Sequence, residues 1–405
     1  MDGYGVCQKS EWAIGHIQYW RHFTRGIPQR ASDNLQASLS NLRFSETWAS
    51  VSLDLVRGLA AILVLVDHWR HFFFVPFHEL DAHGLWFAPV YGLTDAGRQG
   101  VVIFFVLSGF FIGGTVRRAF DRGQWSWASY LTHRLVRLWI VLLPGLLLCL
   151  LWDTIGSFYG VVNWVRDNSA LAFLGNMLFL QGTLVPTYGS DGPLWSLANE
   201  FWYYILFPLG LACILPSTPH RTRFVSLTLL ILLCLWLRTT LLSMFPIWLF
   251  GAALVGIPVP RLRKSLRWIA AAAYVFIVFL CTFLQGISSL ASDYILAMGT
   301  AIFIWTLLSA SEIAPTDATR VRFARSIARY SYSIYVLHLP ILILIAGMLV
   351  RDQHWQPASA GSLTAFGVLL AILAYAYAIA TLTEFQTLRV RSWVEQRLGL
   401  SSARD

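Results

Sequence analysis

The sequence is poor in charged residues. Of its 405 residues only 13% are charged, whereas 57% are hydrophobic and the mean hydropathy is +0.59. Soluble domains carry about 25% charged residues, so this composition excludes an ordinary soluble protein. Apolar runs near the length of about 20 residues needed to cross a bilayer recur from Leu53 to Ala380. The sequence therefore predicts a polytopic membrane protein, whose first partner is the lipid bilayer.

Paired cysteines and an apolar leader are also missing. The five cysteines show no CxxC spacing and four lie in apolar runs, so we interpret them as small core side chains rather than metal ligands or disulfides. Residues 1–48 are polar and irregular, which predicts a cytoplasmic tail without a cleavable signal peptide.

The excess of basic over acidic residues does not indicate nucleic acid. The formal net charge is +9, but the basic residues lie in short loops between apolar spans. That placement follows the positive-inside rule of membrane proteins, whereas a nucleic-acid-binding surface gathers its charge on one face or along one helix. We therefore expect no nucleic-acid partner.

The pattern predicts an all-α polytopic bundle of about ten transmembrane helices. A further apolar stretch, residues 171–180, is too short to cross unaided and is interpreted as re-entrant or interfacial. With that assignment the basic clusters between spans, and both termini, lie on the cytoplasmic side. The predicted spans are residues 53–75, 99–116, 134–152, 194–214, 224–240, 243–257, 268–286, 293–310, 331–350 and 362–385.

The chain divides into three predicted parts. These are a cytoplasmic N-terminal tail at 1–48, a transmembrane domain at 49–385 and a cytoplasmic C-terminal tail at 386–405. Two long polar segments, Phe77–Gln99 and Asp153–Pro193, then face outward. Because long ordered loops are often functional, we expect a ligand site on the outer side.

Arg57 and His68 share one face of the first predicted span. They are eleven residues apart, close to three helical turns, and thus lie roughly 16 Å apart along the axis. With the N-terminus inside, Arg57 lies near the cytoplasmic face and His68 lies deeper, so the pair can connect sites on opposite sides of the membrane. Histidine suits proton transfer because free imidazole titrates near neutrality.

Neighbouring groups leave alternatives open for this span. His71, three residues after His68, is a competing candidate for the same role, whereas Asp67 points about 100° away and need not be the partner of His68. Arg57 has an alternative role, because its side chain could simply extend to the cytoplasmic surface. His68 equally fits a histidine that makes one structural hydrogen bond.

Glu200 lies near the head of a long apolar helix, in the run 195–208. An ionisable group at membrane depth costs roughly 3 kcal/mol on insertion scales and usually faces a polar partner or a cavity. We therefore expect Glu200 to be functional, with Asn199 and Tyr204 of the same run as supporting residues.

Two further pairs are spaced at i and i+3. Arg134 and Arg137, where the third span begins, could bind phosphates through bidentate hydrogen bonds, although arginines at that face also set topology. Tyr335 and His338 share a face of a late span, where a histidine is commonly a helix–helix hydrogen-bonding residue.

Ser108 lies in the middle of the second span beside a GxxxG pair, Gly109 and Gly113. Because no GxSxG elbow surrounds it, Ser108 is interpreted as a residue that bonds to its own helix backbone rather than as a nucleophile. The two glycines predict close helix packing.

Taken together, these segments resemble the acyltransferase-3 family of bacterial integral-membrane acyltransferases. The likeness covers about residues 50–385, and it departs at the third span, where the usual Arg-x-Tyr-Pro reads Arg137-Leu-Trp-Ile and the proline is delayed to Pro144. The motifs that carry it, in order, are Arg-x10-His at 57–68, Phe-Phe-Val-Leu-Ser-Gly-Phe at 104–110, Trp-Ser-Leu-x-x-Glu at 195–200 with its extension to Pro208, and Ser-Tyr-x-x-Tyr-x-x-His at 331–338.

The resemblance implies an enzyme of the bacterial cytoplasmic (inner) membrane. Members of the family transfer an acyl group, commonly acetyl, from cytoplasmic acyl-CoA to a hydroxyl of a cell-surface or exported carbohydrate. Acyl-CoA would be a co-substrate, the acceptor a carbohydrate or glycolipid, and no metal is expected.

The expected roles follow from this chemistry. A base must remove the acceptor's proton, and cationic or dipolar groups must stabilise the developing oxyanion. We assign the base to His68, oriented or stabilised by Glu200 as in a catalytic triad. Arg57 would lie on the donor side, and Arg134 and Arg137 would bind the CoA phosphates. Direct transfer and an acyl-His68 intermediate fit the same residues.

Two other functions fit parts of the pattern. A secondary transporter or flippase for a lipid-linked sugar would also need about ten helices, buried ionisable groups and an aromatic-rich cavity, but the sequence shows no inverted repeat or paired broken helices. A non-catalytic sensor of acylated sugars would keep the cavity and tolerate loss of His68. Consumption of acyl-CoA would separate the enzyme from both.

Overall fold

The computed structural model describes residues 47–81, 87–284, 289–315, 318–351, 353–357 and 360–400, and within this part the chain is helical without extended strands. Nearly all of the predicted N-terminal tail, and residues 401–405 of the C-terminal tail, lie outside the described residues. The helices are α1 Trp48–Phe73, α2 Ala88–Thr94, α3 Gly97–Asp121, α4 Trp127–Phe158, α5 Ala170–Met177, α6 Leu194–Ile214, α7 His220–Trp236, α8 Thr239–Ala253, α9 Lys264–Leu284, α10 Ser289–Leu308, α11 Thr319–Arg329, α12 Ser331–Leu349, α13 Gly361–Leu382 and α14 Thr387–Arg397.

Nine helical segments of the described chain are long and apolar enough to cross a membrane, which confirms the all-α polytopic prediction. They correspond to α1, α3, α4, α6, α8, α9, α10, α12 and α13, where α8 reaches the required length together with the 3-10 turn Leu254–Gly256 that continues it. The tenth predicted span, residues 224–240, overlaps α7, which has 17 residues and is about 25 Å long. A hydrocarbon core is about 30 Å thick, so α7 is slightly short of a full crossing. The predicted re-entrant or interfacial segment contains α5, whose 8 residues also cannot cross.

Helix α3 occupies the centre of the bundle and packs against α1, α8 and α10. Where α3 crosses α8, each helix has a glycine at the contact. A methyl group added at Gly109 would overlap the carbonyl oxygen of Trp248, and one added at Gly251 would overlap the carbonyl oxygen of Val106. The prediction that Gly109 serves close helix packing is therefore confirmed, because only a residue without Cβ lets the two backbones approach so closely.

Helix α12 packs against α1 and α4, and 13 of its 19 residues are buried. Helix α1 begins at Trp48 because Thr47 caps it, accepting the N–H of Ser50 at 3.3 Å. Helix α11 lies directly on α1, where Ile327 fills the space above Gly58. This close contact brings the end of α11 to Arg57.

The connection from α4 to α6 is held by buried hydrogen bonds. Asp153 on α4 accepts the Ser190 backbone N–H at 3.0 Å and the Ser190 hydroxyl at 2.5 Å. The Gln181 amide donates to the carbonyl of Leu194, the first residue of α6, at 2.9 Å. Because these polar groups are satisfied only in one arrangement, they fix where α6 begins and thus where Glu200 lies.

Candidate active site

A cavity of about 220 Å³ lies between α1, α3, α4, α6 and α12. Of the ten residues predicted from the sequence, three do not line it, namely His68, Asn199 and His338. The seven that do are Arg57, Ser108, Arg134, Arg137, Glu200, Tyr204 and Tyr335. Residues far apart in the sequence therefore meet in one place, whereas His68, the predicted base, lies outside the cavity lining.

Arg57 lines the cavity and is held by the polypeptide on two sides. Its guanidinium donates to the carbonyl of Ala328 at the end of α11, at 2.6 Å, and lies 3.9 Å from the carboxylate of Asp54 one turn earlier. These two contacts hold the guanidinium at the cavity wall.

Arg137 is bonded to a carboxylate that the sequence analysis did not single out. It donates to Glu384 at 2.7 Å, and the second carboxylate oxygen accepts the backbone N–H and the hydroxyl of Ser333 at 2.9 and 2.8 Å. The Glu384 side chain is 1% exposed. Glu384 thus ties the turn after α13 to α12 and to the arginine of the cavity wall.

Arg134 differs from these two cavity arginines because it makes no hydrogen bond or ion pair within the described part of the chain, and its Nε atom is buried. Its guanidinium lies 5.9 Å from the ring centroids of both Tyr130 and Tyr204. Aromatic faces stabilise a cation without consuming its donors. Arg134 is therefore available to an anionic ligand in the cavity.

Glu200 ends a chain of hydrogen bonds. The Tyr204 hydroxyl donates to Glu200 at 2.5 Å, the Ser108 hydroxyl lies 3.4 Å from the Tyr204 oxygen, and the Trp248 indole N–H donates to Ser108 at 3.2 Å. Because a carboxylate only accepts, each hydroxyl points its proton toward Glu200. Ser108 thus bonds to side chains of α6 and α8, not to its own helix backbone as we expected.

Tyr335 lines the cavity beside Phe104, and the centroids of the two rings lie 6.0 Å apart. Its hydroxyl donates to the carbonyl of Pro193 at 2.9 Å and lies 2.5 Å from the hydroxyl of Ser196. Asn199 is buried outside the cavity, on the same helix as Ser196.

His68 and His338 meet close to the cavity, beside Tyr335, but do not line it. His338 Nε2 lies 3.0 Å from His68 Nδ1, and His338 follows Tyr335 by one turn of α12. His68 is partly exposed and His338 is fully buried. We expected Glu200 to orient His68, but the described structure shows no hydrogen bond between them. Glu200 is bonded to Tyr204, whereas His68 is bonded to His338 and to the backbone carbonyl of Val64.

His71 belongs to a different cluster, at the end of α1. The ligand atoms of Asp67, His71 and Asp95 approach one another in a geometry that could surround a cation. Arg70 donates to Asp95 at 2.5 Å and to the ring of His71 at 2.7 Å. The guanidinium therefore already supplies positive charge at this position, and the expectation of no metal stays a prediction.

The sequence analysis missed several polar residues of the site. Glu384 could have been noticed by the rule that singled out Glu200, because it is a carboxylate at the end of an apolar span. Ser196 and Tyr332 lie inside the motifs at 195–200 and 331–338 but were not singled out. Arg118 and Trp248 lie outside those motifs, and their place at the site depends on helices that meet only in the fold.

Comparisons with known proteins identify the family of this chain. The chain is 29% identical over 159 residues to the "Putative peptidoglycan O-acetyltransferase YrhL" of Bacillus subtilis (strain 168), a match covering 35% of this chain and 23% of that protein. It is 30% identical over 148 residues to an uncharacterised protein of Haemophilus influenzae (strain Rd), covering 35% of this chain and 60% of that protein. No solved structure matches significantly. The model of the acyltransferase-3 family, described as an acyltransferase domain, matches residues 50–382, and the chain therefore belongs to this family of acyltransferase enzymes.

Proposed function

We propose that the protein is a membrane O-acyltransferase that moves an acyl group, acetyl in the simplest case, from acyl-CoA to a hydroxyl of a cell-surface or exported carbohydrate. The observation that carries this proposal is the cavity with the unpaired cation Arg134 on its wall and a histidine pair close to it, next to Tyr335. Membership of the family supports acyl transfer, and the name of the Bacillus relative supports a hydroxyl acceptor.

The donor would enter the cavity by its acyl end. The volume of about 220 Å³ is below the about 300–1,000 Å³ that is common for drug-sized ligands, so the cavity suits the acyl-pantetheine arm and leaves the nucleotide at its mouth. Phosphate oxygens would then bind Arg134, since guanidinium groups pair with phosphates through parallel hydrogen bonds. Arg57 and Arg137 would add positive charge to the same wall while keeping their protein partners.

His68 would act as the general base. Its Nε2 has no hydrogen-bond partner within the described part of the chain, so the lone pair is available. This nitrogen would take the proton of the acceptor hydroxyl as the oxygen attacks the thioester carbon. The carbon–sulfur bond then breaks, and the CoA thiolate recovers the proton from the imidazolium. His68 does not line the cavity, so the thioester would have to extend past Tyr335 to reach it, since His338 follows Tyr335 by one turn of α12 and contacts His68.

The acceptor would approach from the side of the membrane opposite to the donor. The eleven residues between Arg57 and His68 correspond to roughly 16 Å of helix, about half the apolar thickness of a bilayer. With the N-terminus inside, as the basic loops predict, this spacing joins a cytoplasmic donor to an outward acceptor at a bacterial inner membrane.

The test is turnover of acetyl-CoA by purified protein in nanodiscs, followed as CoA release with and without cell-surface glycan extracts. His68→Ala should abolish release while the variant stays folded, and His220→Ala, an exposed histidine at the start of α7, should release CoA at the wild-type rate. Release that needs both glycan and His68 supports the proposal. Normal turnover by His68→Ala would exclude His68 as the base. No release from any acyl-CoA by a well-folded protein would favour transport, and substrate uptake would then be measured.

A further inference from the structure

The backbone neighbours of His338 hold a proton on Nδ1 of its ring. Its Nδ1 lies 2.9 Å from the carbonyl oxygens of Ile334 and Tyr335. Carbonyl oxygens only accept hydrogen bonds, so this nitrogen must carry a proton. In a neutral ring the other nitrogen, Nε2, then carries a lone pair, and it is this nitrogen that faces His68.

The ring of His68 is held in the same tautomer. Its Nδ1 lies 3.0 Å from the carbonyl oxygen of Val64 and 3.0 Å from Nε2 of His338. The carbonyl requires a proton on Nδ1, and that proton is shared between the carbonyl and the lone pair of His338. A charged His338 would place two N–H groups against each other, so the geometry requires His338 to be neutral.

We propose that His338 is the positioning residue of His68, an assignment that rests on the proposed function. His338 accepts the Nδ1 proton of His68, keeps the Nε2 lone pair free for the acceptor hydroxyl and fixes the plane of the ring. When Nε2 takes a proton, the Nδ1–H bond to His338 becomes charge-assisted and therefore stronger. The imidazolium is thereby stabilised in the step in which it forms.

A neutral partner suits this location better than a carboxylate does. His338 is fully buried, and its neighbours Ile334, Leu339 and Leu342 are buried apolar residues. An ionised carboxylate there would lose its hydration during the whole cycle, whereas a neutral imidazole carries no charge in the resting enzyme. The nearest carboxylate of the cavity, Glu200, is instead bonded to Tyr204, so the triad role that a carboxylate usually fills falls to His338.

Two substitutions separate positioning from packing. His338→Gln offers an amide oxygen as an acceptor in place of Nε2, whereas His338→Leu fills similar space without an acceptor. Because a positioned general base contributes about 10²–10⁴-fold to the rate, we expect kcat to fall about 100-fold in His338→Leu and by less than about tenfold in His338→Gln. KM for acyl-CoA should stay within about twofold in both, since His338 does not line the cavity.

The control is Tyr375→Phe. It removes a partly buried hydroxyl that accepts a hydrogen bond from the Trp152 indole N–H, and it should leave kcat unchanged. Nitrogen NMR of the protein labelled at its histidines provides a readout that packing alone would not change. The signals of His68 and His338, assigned by their loss in His68→Ala and His338→Gln, should both report a neutral ring protonated at Nδ1.

Equal activity of the Leu and Gln variants, or a signal showing His68 protonated at Nε2, would overturn the assignment. If His68→Ala is inactive while His338→Leu turns over normally, only the role of His338 is wrong. If the wild-type protein releases no CoA, the proposed function fails and the positioning role fails with it.

Discussion

Replacing Arg134 by glutamine tests whether this arginine, rather than Arg137, binds the donor. Arg134 lines the cavity without a hydrogen-bond or ion-pair partner in the described chain, whereas Arg137 is bonded to buried Glu384. Arg134→Gln should therefore weaken donor binding and leave the fold intact. Arg137→Gln should lower stability, because it leaves the Glu384 carboxylate without its cation.

The size of each effect follows from the partners that are lost. A hydrogen bond to a charged group contributes about 1.5–3 kcal/mol. Because a tenfold change in the dissociation constant corresponds to about 1.4 kcal/mol, loss of this bond in Arg134→Gln should weaken CoA binding by about 10- to 150-fold. Removing one partner of a buried ion pair costs about 3–5 kcal/mol. The Arg137 side chain is 30% exposed, so water screens the pair and we expect a loss of stability at or below about 3 kcal/mol in Arg137→Gln.

The assay is calorimetric titration of CoA into each variant in nanodiscs, together with thermal unfolding. Arg117→Gln is the matched control, because Arg117 lies on the exposed end of α3, pairs with Asp121 at 2.9 Å and does not line the cavity. Wild-type CoA affinity in Arg134→Gln would refute the reasoning, as would an equal loss of affinity in Arg117→Gln. An Arg137→Gln variant as stable as the wild type would show that the ion pair with Glu384 contributes little.

Two further predictions concern stability. Gly251→Val should lower the melting temperature in detergent, since the new side chain would overlap the Val106 carbonyl at the α3–α8 crossing and overpacking costs about 1–3 kcal/mol. The control, Gly367→Val, has open space around it and should change the melting temperature little. Equal melting temperatures of the two variants would contradict the close crossing. Burial raises the pKa of Asp191 well above its usual range; the nearby Asp153 adds to this rise and Arg166 opposes it. The folded state therefore favours the protonated acid, and the stability that this proton contributes is lost as the pH rises from about 4 through the raised pKa. The melting temperature of Asp191→Asn should therefore shift upward relative to that of the wild type as the pH rises above about 4, and parallel profiles would exclude this linkage.

The helical bundle could be predicted because hydropathy and length are local properties of the chain. A run of about 20 apolar residues is a span wherever it lies, and nine of the predicted spans have the required length in the structure. The crossing of α3 and α8 is different. Gly109 was recognisable from its GxxxG spacing, but Gly251 carries no such signal, and its role follows only from the approach of Val106 on the other helix.

Neighbours within the candidate site could be predicted where they share one helix. Arg57 and His68 were expected on one face of α1 at different depths, and Arg57 lines the cavity whereas His68 does not. Tyr335 and His338 were likewise expected on one face of α12; Tyr335 lines the cavity, and His338 lies beside it and contacts His68. The bond between His68 and His338 joins residues 270 positions apart, so no spacing rule could predict that a histidine, rather than Glu200, is the partner.

The arginines show why sequence alone could not complete the assignment. Arg57, Arg134 and Arg137 all lie where basic residues also set topology, and nothing in their neighbourhoods ranks them. The fold distinguishes them by what they contact, because Arg137 meets Glu384 from a segment 247 residues away, whereas two tyrosine rings flank Arg134 without accepting its protons. A guanidinium whose donors are already used holds helices together, and one whose donors remain free can bind a phosphate. The distinction lies in tertiary contacts, so the spacing that placed Arg134 and Arg137 together predicted the same role for two residues whose contacts differ.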